Sequence, residues 1–241
     1  MFADRPEVLA PPSAPVLGRI WPVRDLVVGV GALAAITLLL IAALVLLRVR
    51  GAAVGMGASV LLELALGGIV LLLAARRGVS LRELGFVRPT TWRLAVPAWL
   101  GAYGILVGYV LLLRLAERAG FDVSMFTRGN PVPLSGDEGV ALVAVMAVTV
   151  VLLAPVCEEL FFRALLYRGL RGFWSMPLAL AVSGSAFGAF HLNLSVVLPY
   201  SLIGMLFAWL MEESRSLWPP IVVHALVNGI SFAVSIAALT N

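Results

Sequence analysis

The sequence predicts an all-α fold: a polytopic integral membrane helical bundle of about seven to eight transmembrane helices around a polar intramembrane cavity. Three observations predict it. Apolar residues come in runs of about 20, the length at which a helix crosses the hydrocarbon core of a bilayer. Across 241 residues, 61% are hydrophobic and the mean hydropathy is +1.05. Only 12% are charged, about half the usual globular share. A soluble helical protein with a buried core does not need runs of this length.

Residues 1–25 are rich in Pro and polar enough to form an N-terminal cytoplasmic tail. The first apolar run is about 22 residues long and lacks a convincing cleavage site, so it reads as an uncleaved span rather than a signal peptide. Spans are expected over 26–47, 56–75, 94–113, 139–167, 177–194, 196–212 and 219–238. Pro155 lies inside the fourth, where a proline kinks a helix. Pro219 and Pro220 open the last, where proline is tolerated. The connection 76–93 is strongly basic, and 114–138 is the longest, with Gly, Pro and Asp as turn signals. No internal repeat of about 20 to 50 residues is evident. Residues 26–238 therefore read as a single membrane domain, without a soluble catalytic module.

All 17 basic side chains are arginine, a usage that reflects genomic bias rather than chemistry. They lie between apolar runs, where they anchor loops, so the basic balance does not imply nucleic acid. With seven spans and the N-terminus inside, twelve arginines fall on the cytoplasmic side and five outside. The positive-inside rule then favours a cytoplasmic N-terminus. A single cysteine, Cys157, excludes an intramolecular disulfide framework and a multi-cysteine metal cluster. Nothing in the spacing gives that thiol a base, so packing is its expected role.

The polar residues left inside the spans are Glu63, Glu158, Glu159, Arg163, His191, Asn193, His224 and Asn228. All but Glu63 lie in the C-terminal half. A proton relay, an ion site and a hydrolytic site would all use such a set. Helix geometry divides it. Glu159 and Arg163 are four apart, share a face and can pair as a brace. Glu158 is rotated about 100° from Glu159, and has no evident local partner. An unpaired, desolvated carboxylate suits a base acting on water. Phe187 precedes His191 by one turn in "FGAFH", and His224 precedes Asn228 by one turn in "HALVN". His224 and Asn228 can donate hydrogen bonds toward one point, as an oxyanion hole requires. One intramembrane histidine alone would read as a helix-bridging hydrogen bond.

"EELFFR", "FGAFH" and "HALVN", in this order and in a membrane setting, resemble the three motifs of the CPBP family. That family comprises CAAX-type prenyl proteases and Abi proteins associated with bacteriocin processing or immunity. The resemblance spans about residues 60 to 238, with a catalytic core at about 139–238. The basic stretch "VSLRELGFVRP" also resembles the segment that commonly precedes that core. One departure is Ala164, where the family often has Gly after the motif arginine.

The resemblance implies an intramembrane endopeptidase acting on a membrane-associated or C-terminal, CAAX-like peptide. Glu158 and His191 would hold and activate the attacking water, and His224 and Asn228 would stabilise the oxyanion. Glu159, Arg163 and Phe187 would support them. A metal-free glutamate mechanism is preferred. The alternative is a divalent metal such as zinc on Glu158, His191 and His224, with an open fourth position, although no HExxH is present. The expected setting is a bacterial plasma membrane, and the expected partners are a peptide or protein substrate and the lipid bilayer, with no nucleic acid. Other readings are a non-catalytic scaffold or immunity protein on the same fold, and a proton-coupled transporter. The latter would be expected to show repeated halves or paired broken helices.

Depth raises a difficulty. Counted from the cytoplasmic helix ends, Glu158 and His191 lie about 20 Å in, whereas His224 and Asn228 lie nearer about 10 Å. A shared site requires these depths to agree.

Overall fold

A computed structural model describes residues 20–128 and 139–239. Most of the expected N-terminal tail and part of the expected 114–138 connection lie outside the described residues. Among the described residues there are eight helices and no strand: α1 Val23–Leu46, α2 Ala52–Arg77, α3 Leu81–Leu84, α4 Ala95–Arg118, α5 Val140–Arg171, α6 Met176–Phe190, α7 Leu194–Ser214 and α8 Trp218–Leu239. Six are long and apolar enough to cross a bilayer: α1, α2, α4, α5, α7 and α8. The chain is thus a polytopic helical membrane protein.

The expected span 177–194 is cut short. α6 has 15 residues, about 22 Å of helix. It ends because Leu192 takes a left-handed backbone at φ 50°, and because Asn193 caps the next helix by accepting a hydrogen bond from Ser195 N at 3.0 Å. Asn193 is therefore a structural cap at a tight turn.

The α6–α7 pair packs backbone to backbone. A Cβ added at Gly184 would lie 2.7 Å from Ser201 O. One at Gly188 would meet Val197 O and Ser201 Oγ, and one at Gly204 would lie 3.0 Å from the Gly184 Cα. Small residues four apart let two helices approach this closely, and that approach holds the His191 end of α6 against α7.

α5 runs through the middle of the bundle and packs on α1, α2, α6, α7 and α8. Where a Pro155 kink is expected, the helix stays continuous and widens to π-helical turns over Thr149–Leu153 and again over Leu160–Tyr167. The segment before α1 also docks on it. Trp21 is fully buried and its Nε1–H donates to Ala164 O at 2.6 Å. Asp25 pairs with Arg77 at 2.7 Å. Residues 21–25 therefore belong to the packed fold rather than to a tail. Cys157 sits against α2, where a Cβ at Gly67 would lie 2.9 Å from its Sγ, in keeping with a packing role.

One end of the bundle is stitched by the connection between α2 and α4. Gly78, left-handed at φ 67°, ends α2, and a capping box of Ser80 and Glu83 starts α3. Leu217 N donates to Gly85 O at 2.9 Å and Thr90 N to Ser214 O at 2.9 Å. An Arg168 guanidinium N–H donates to Glu83 O. Arg168 of α5 and Leu217 at the start of α8 thus dock on the same connection.

Candidate active site

Three helices bring the predicted side chains together: α5 supplies Glu158, Glu159 and Arg163, the end of α6 supplies Phe187 and His191, and α8 supplies His224 and Asn228. Glu63 of α2, Glu158, His191, His224 and Asn228 line one cavity of about 410 Å³. His191 stands at the far end of α6 and His224 six residues after the start of α8, yet both line this cavity, so residue counts from the helix ends do not give depth here.

Glu159 and Arg163 pair as their spacing predicts, with Nε 3.0 Å from Oε2 and side chains 0% and 1% exposed. Arg163 also donates from Nη2 to Gly204 O at 3.3 Å. Its guanidinium carbon lies 4.4 Å from the Phe187 ring centroid and 5.4 Å from that of Phe207, so the cation is held between two aromatic faces. Phe187 in turn meets His191 and His224 edge-on, at 5.2 and 5.8 Å between centroids.

Glu159 has a second partner that spacing does not reveal. His224 Nδ1–H donates to Glu159 Oε1 at 2.9 Å. The other ring nitrogen, Nε2, lies 3.7 Å from Glu158 Oε2, which is long for a hydrogen bond. Glu159 therefore orients His224 as well as neutralising Arg163.

His191 Nδ1 lies 2.9 Å from Phe187 O. A carbonyl only accepts, so Nδ1 carries the hydrogen and a neutral ring keeps its lone pair on Nε2. Tyr200 packs edge-on at 4.6 Å and Phe190 at 5.8 Å, fixing the ring plane. Glu158 and His191 face the same cavity, which leaves the space between them for a reacting molecule.

Asn228 Nδ2 donates to Val150 O at 3.0 Å. The reason lies in the first π-helical segment. Ala154 N donates to Thr149 O, and the next bond in that i→i−5 series would come from residue 155 to Val150 O. Residue 155 is proline and has no N–H, so the Asn228 amide takes the vacant acceptor. The amide keeps a second N–H.

The residue that sequence reasoning left outside the site is Glu63. It is 8% exposed and lines the same cavity as Glu158. Its apolar surroundings marked it as unusual, but no local spacing links positions 63 and 158.

His191 and His224 both give Nδ1–H to protein acceptors, an arrangement that leaves each Nε2 free toward the cavity and is equally usual for a histidine that binds metal. Among the described residues, no group of three or more His, Cys, Asp or Glu is gathered closely enough to hold a metal ion.

A second cavity, also about 410 Å³, lies between α4 and α7 and shares Leu106 and Tyr200 with the first. Tyr200 is thus a wall common to both.

Residues 140–230 match the family profile described as type II CAAX prenyl endopeptidase Rce1-like. A Bacillus subtilis protein named "Putative membrane peptidase YdiL" is 29% identical over 86 residues, covering 36% of this chain and 35% of that protein. The match thus spans about a third of the relative's length. No solved structure matches.

Proposed function

We propose, from the premise that this chain belongs by its C-terminal core to a CPBP-type protease family, that it is an intramembrane endopeptidase of metal-free, glutamate-based mechanism. One observation carries the reading: Glu158, His191, His224 and Asn228, from three separate helices, line a single cavity inside the membrane-spanning bundle. The second cavity beyond Tyr200 supplies further room for an extended peptide.

The steps follow from the donor pattern. Water sits between the Glu158 carboxylate and the bare Nε2 of His191. Glu158 takes one of its protons as the hydroxide oxygen adds to the peptide carbonyl carbon. The resulting oxyanion is met by the second amide N–H of Asn228 and by His224. With Nδ1–H already given to Glu159, His224 meets the oxyanion through Nε2–H in its doubly protonated form. The proton on Glu158 then passes to the amine nitrogen as the C–N bond breaks. Glu159, Arg163 and Phe187 touch no reacting atom and act by holding His224 and His191 in place.

The substrate in this reading is a membrane-associated or C-terminal, CAAX-like peptide. The protein works in a bacterial plasma membrane with its N-terminus in the cytoplasm, the orientation supported by arginine distribution. Purified protein in lipid nanodiscs, given a fluorogenic farnesylated CAAX peptide and its unprenylated twin, tests the reading. Cleavage that is lost in Glu158→Gln and His191→Ala, with the fold retained, supports it. Undiminished cleavage by folded Glu158→Gln refutes it, and turnover that needs stoichiometric bound metal refutes the metal-free mechanism.

A further inference from the structure

We propose that the active-site cavity opens to the extracytoplasmic side through a polar track on α2 and α8, and that the peptide it receives is a membrane-associated segment on that side. The second clause rests on the peptidase reading; the opening does not.

The arginine-rich end of the bundle is closed. There the start of α1 pairs with the end of α2 through Asp25 and Arg77. The connection from α2 to α4 is bonded to the end of α7 and the start of α8, and Arg168 of α5 joins it. Trp21, Leu84, Met211 and Leu217 belong to one core cluster at this end, and all four are fully buried.

Helix direction then tells where the cavity leads. α2 lines it from its first half, with Ser59, Leu62 and Glu63. α5 lines it up to Glu158 and no further. α8 lines it from His224 to Ser235, which stands four residues before the helix end. All three lead away from the closed end. The second cavity lies toward the same side, with Arg114 and Glu117 near the end of α4 in its wall.

The track is polar, and exposure grows along it. On α8, His224, Asn228, Ser231 and Ser235 follow at spacings of four, three and four, so they share a face. His224 is buried, Asn228 half-buried and Ser231 exposed. On α2, Glu63 is buried and Ser59, one turn closer to the start of the helix, is exposed. Ser59 and Ser235 donate to carbonyls one turn back, which leaves their oxygens as acceptors for water. A row of hydroxyls facing hydrocarbon would lack such partners. The side chains that α8 exposes elsewhere, Leu226, Ile230 and Val234, are apolar and do not line the cavity. The arginine distribution puts the closed end in the cytoplasm, so the track leads outside.

The test is cysteine accessibility in a Cys157→Ala background, read with a charged, membrane-impermeant methanethiosulfonate. Ser231→Cys and Ser235→Cys are compared with their neighbours Ile230→Cys and Val234→Cys. Arg82→Cys, on the exposed face of α3, marks the closed end. The reagent attacks thiolate, which forms in water and not against hydrocarbon. In right-side-out spheroplasts the serine positions should label at least about tenfold faster than their neighbours, and Arg82→Cys should label only in inverted vesicles. Serine positions that label no faster than their neighbours overturn the track. Serine positions that label faster in inverted vesicles, or from the same side as Arg82→Cys, overturn the outward opening. In nanodiscs given the fluorogenic farnesylated peptide, labelling Ser231→Cys should remove most of the cleavage and labelling Arg82→Cys none. Full cleavage by labelled Ser231→Cys overturns the track as the route of the substrate. If the wild type leaves the peptide uncut, the peptidase reading fails while the labelling still decides the opening.

Discussion

Arg163→Met removes one partner of a fully buried ion pair, and its effect can be worked from the contacts. Glu159 loses the Nε contact at 3.0 Å and keeps only His224 Nδ1. Gly204 O loses its side-chain donor, and the Phe187 and Phe207 rings lose the cation between them. Breaking a buried pair from one side costs about 3 to 5 kcal/mol, because the remaining charge is left uncompensated. Methionine fills most of the vacated volume, so little of that loss comes from a cavity. Removing both charges should recover much of it, since a well-packed apolar replacement of a buried pair is often close to neutral. The assay is SDS titration of detergent-solubilised protein followed by tryptophan fluorescence, run on Arg163→Met, Glu159→Leu and the double variant. A coupling energy of about 2 kcal/mol or more between the two positions is expected. Single variants within about 1 kcal/mol of wild type, or additive losses in the double variant, would refute the brace.

Three other outcomes follow from the same geometry. Gly188→Ala should destabilise the protein by about 1 to 3 kcal/mol, the range for overpacking, because its Cβ meets Val197 O and Ser201 of α7; equal SDS midpoints for variant and wild type would count against close α6–α7 packing. Asn228→Ala leaves Val150 O without its side-chain donor and should cost about 1 to 3 kcal/mol, whereas a combined Pro155→Ala change restores a backbone N–H and should recover part of that loss by the same titration. Outside the membrane, the Ser80 N–H and hydroxyl hold the Glu83 carboxyl below the ordinary glutamate range. A depressed acid stabilises above its unfolded pKa and loses that contribution as pH falls through its folded pKa. Protection factors for hydrogen exchange at the Ser80–Glu83 turn should therefore hold at neutral pH and fall only in acid, and a loss of protection toward alkaline pH would contradict the capping box.

Run length located the six long helices, because a chain in hydrocarbon must close its hydrogen bonds within each segment. It misjudged α6, since hydropathy continues through Leu192 and Leu194 while the backbone turns at Leu192 and Asn193. The pairing of Glu159 with Arg163 was legible because it lies within one helix at spacing four. The bond from His224 to Glu159 was not, because it joins α8 to α5 across 65 residues and depends on how the two helices pack. Glu63 was visible as a misplaced charge, but it shares a cavity with Glu158 only once α2 packs on α5 at Gly67 and Cys157. The π-helical turns carried no pattern in hydropathy; Pro155 was their only trace, and it reads equally well as a kink.

The brevity of α6 bears on how a substrate arrives. Its 15 residues fall about 8 Å short of a hydrocarbon core of about 30 Å. Leu192 and Leu194, 70% and 60% exposed at its end, face outward where that shortfall begins. Local thinning of the lipid there would bring the bilayer toward His191 and, in the proposed peptidase, give a sideways entrance beside it. Turnover should then depend on acyl-chain length, with shorter-chain lipids relieving the mismatch and long-chain lipids straining it.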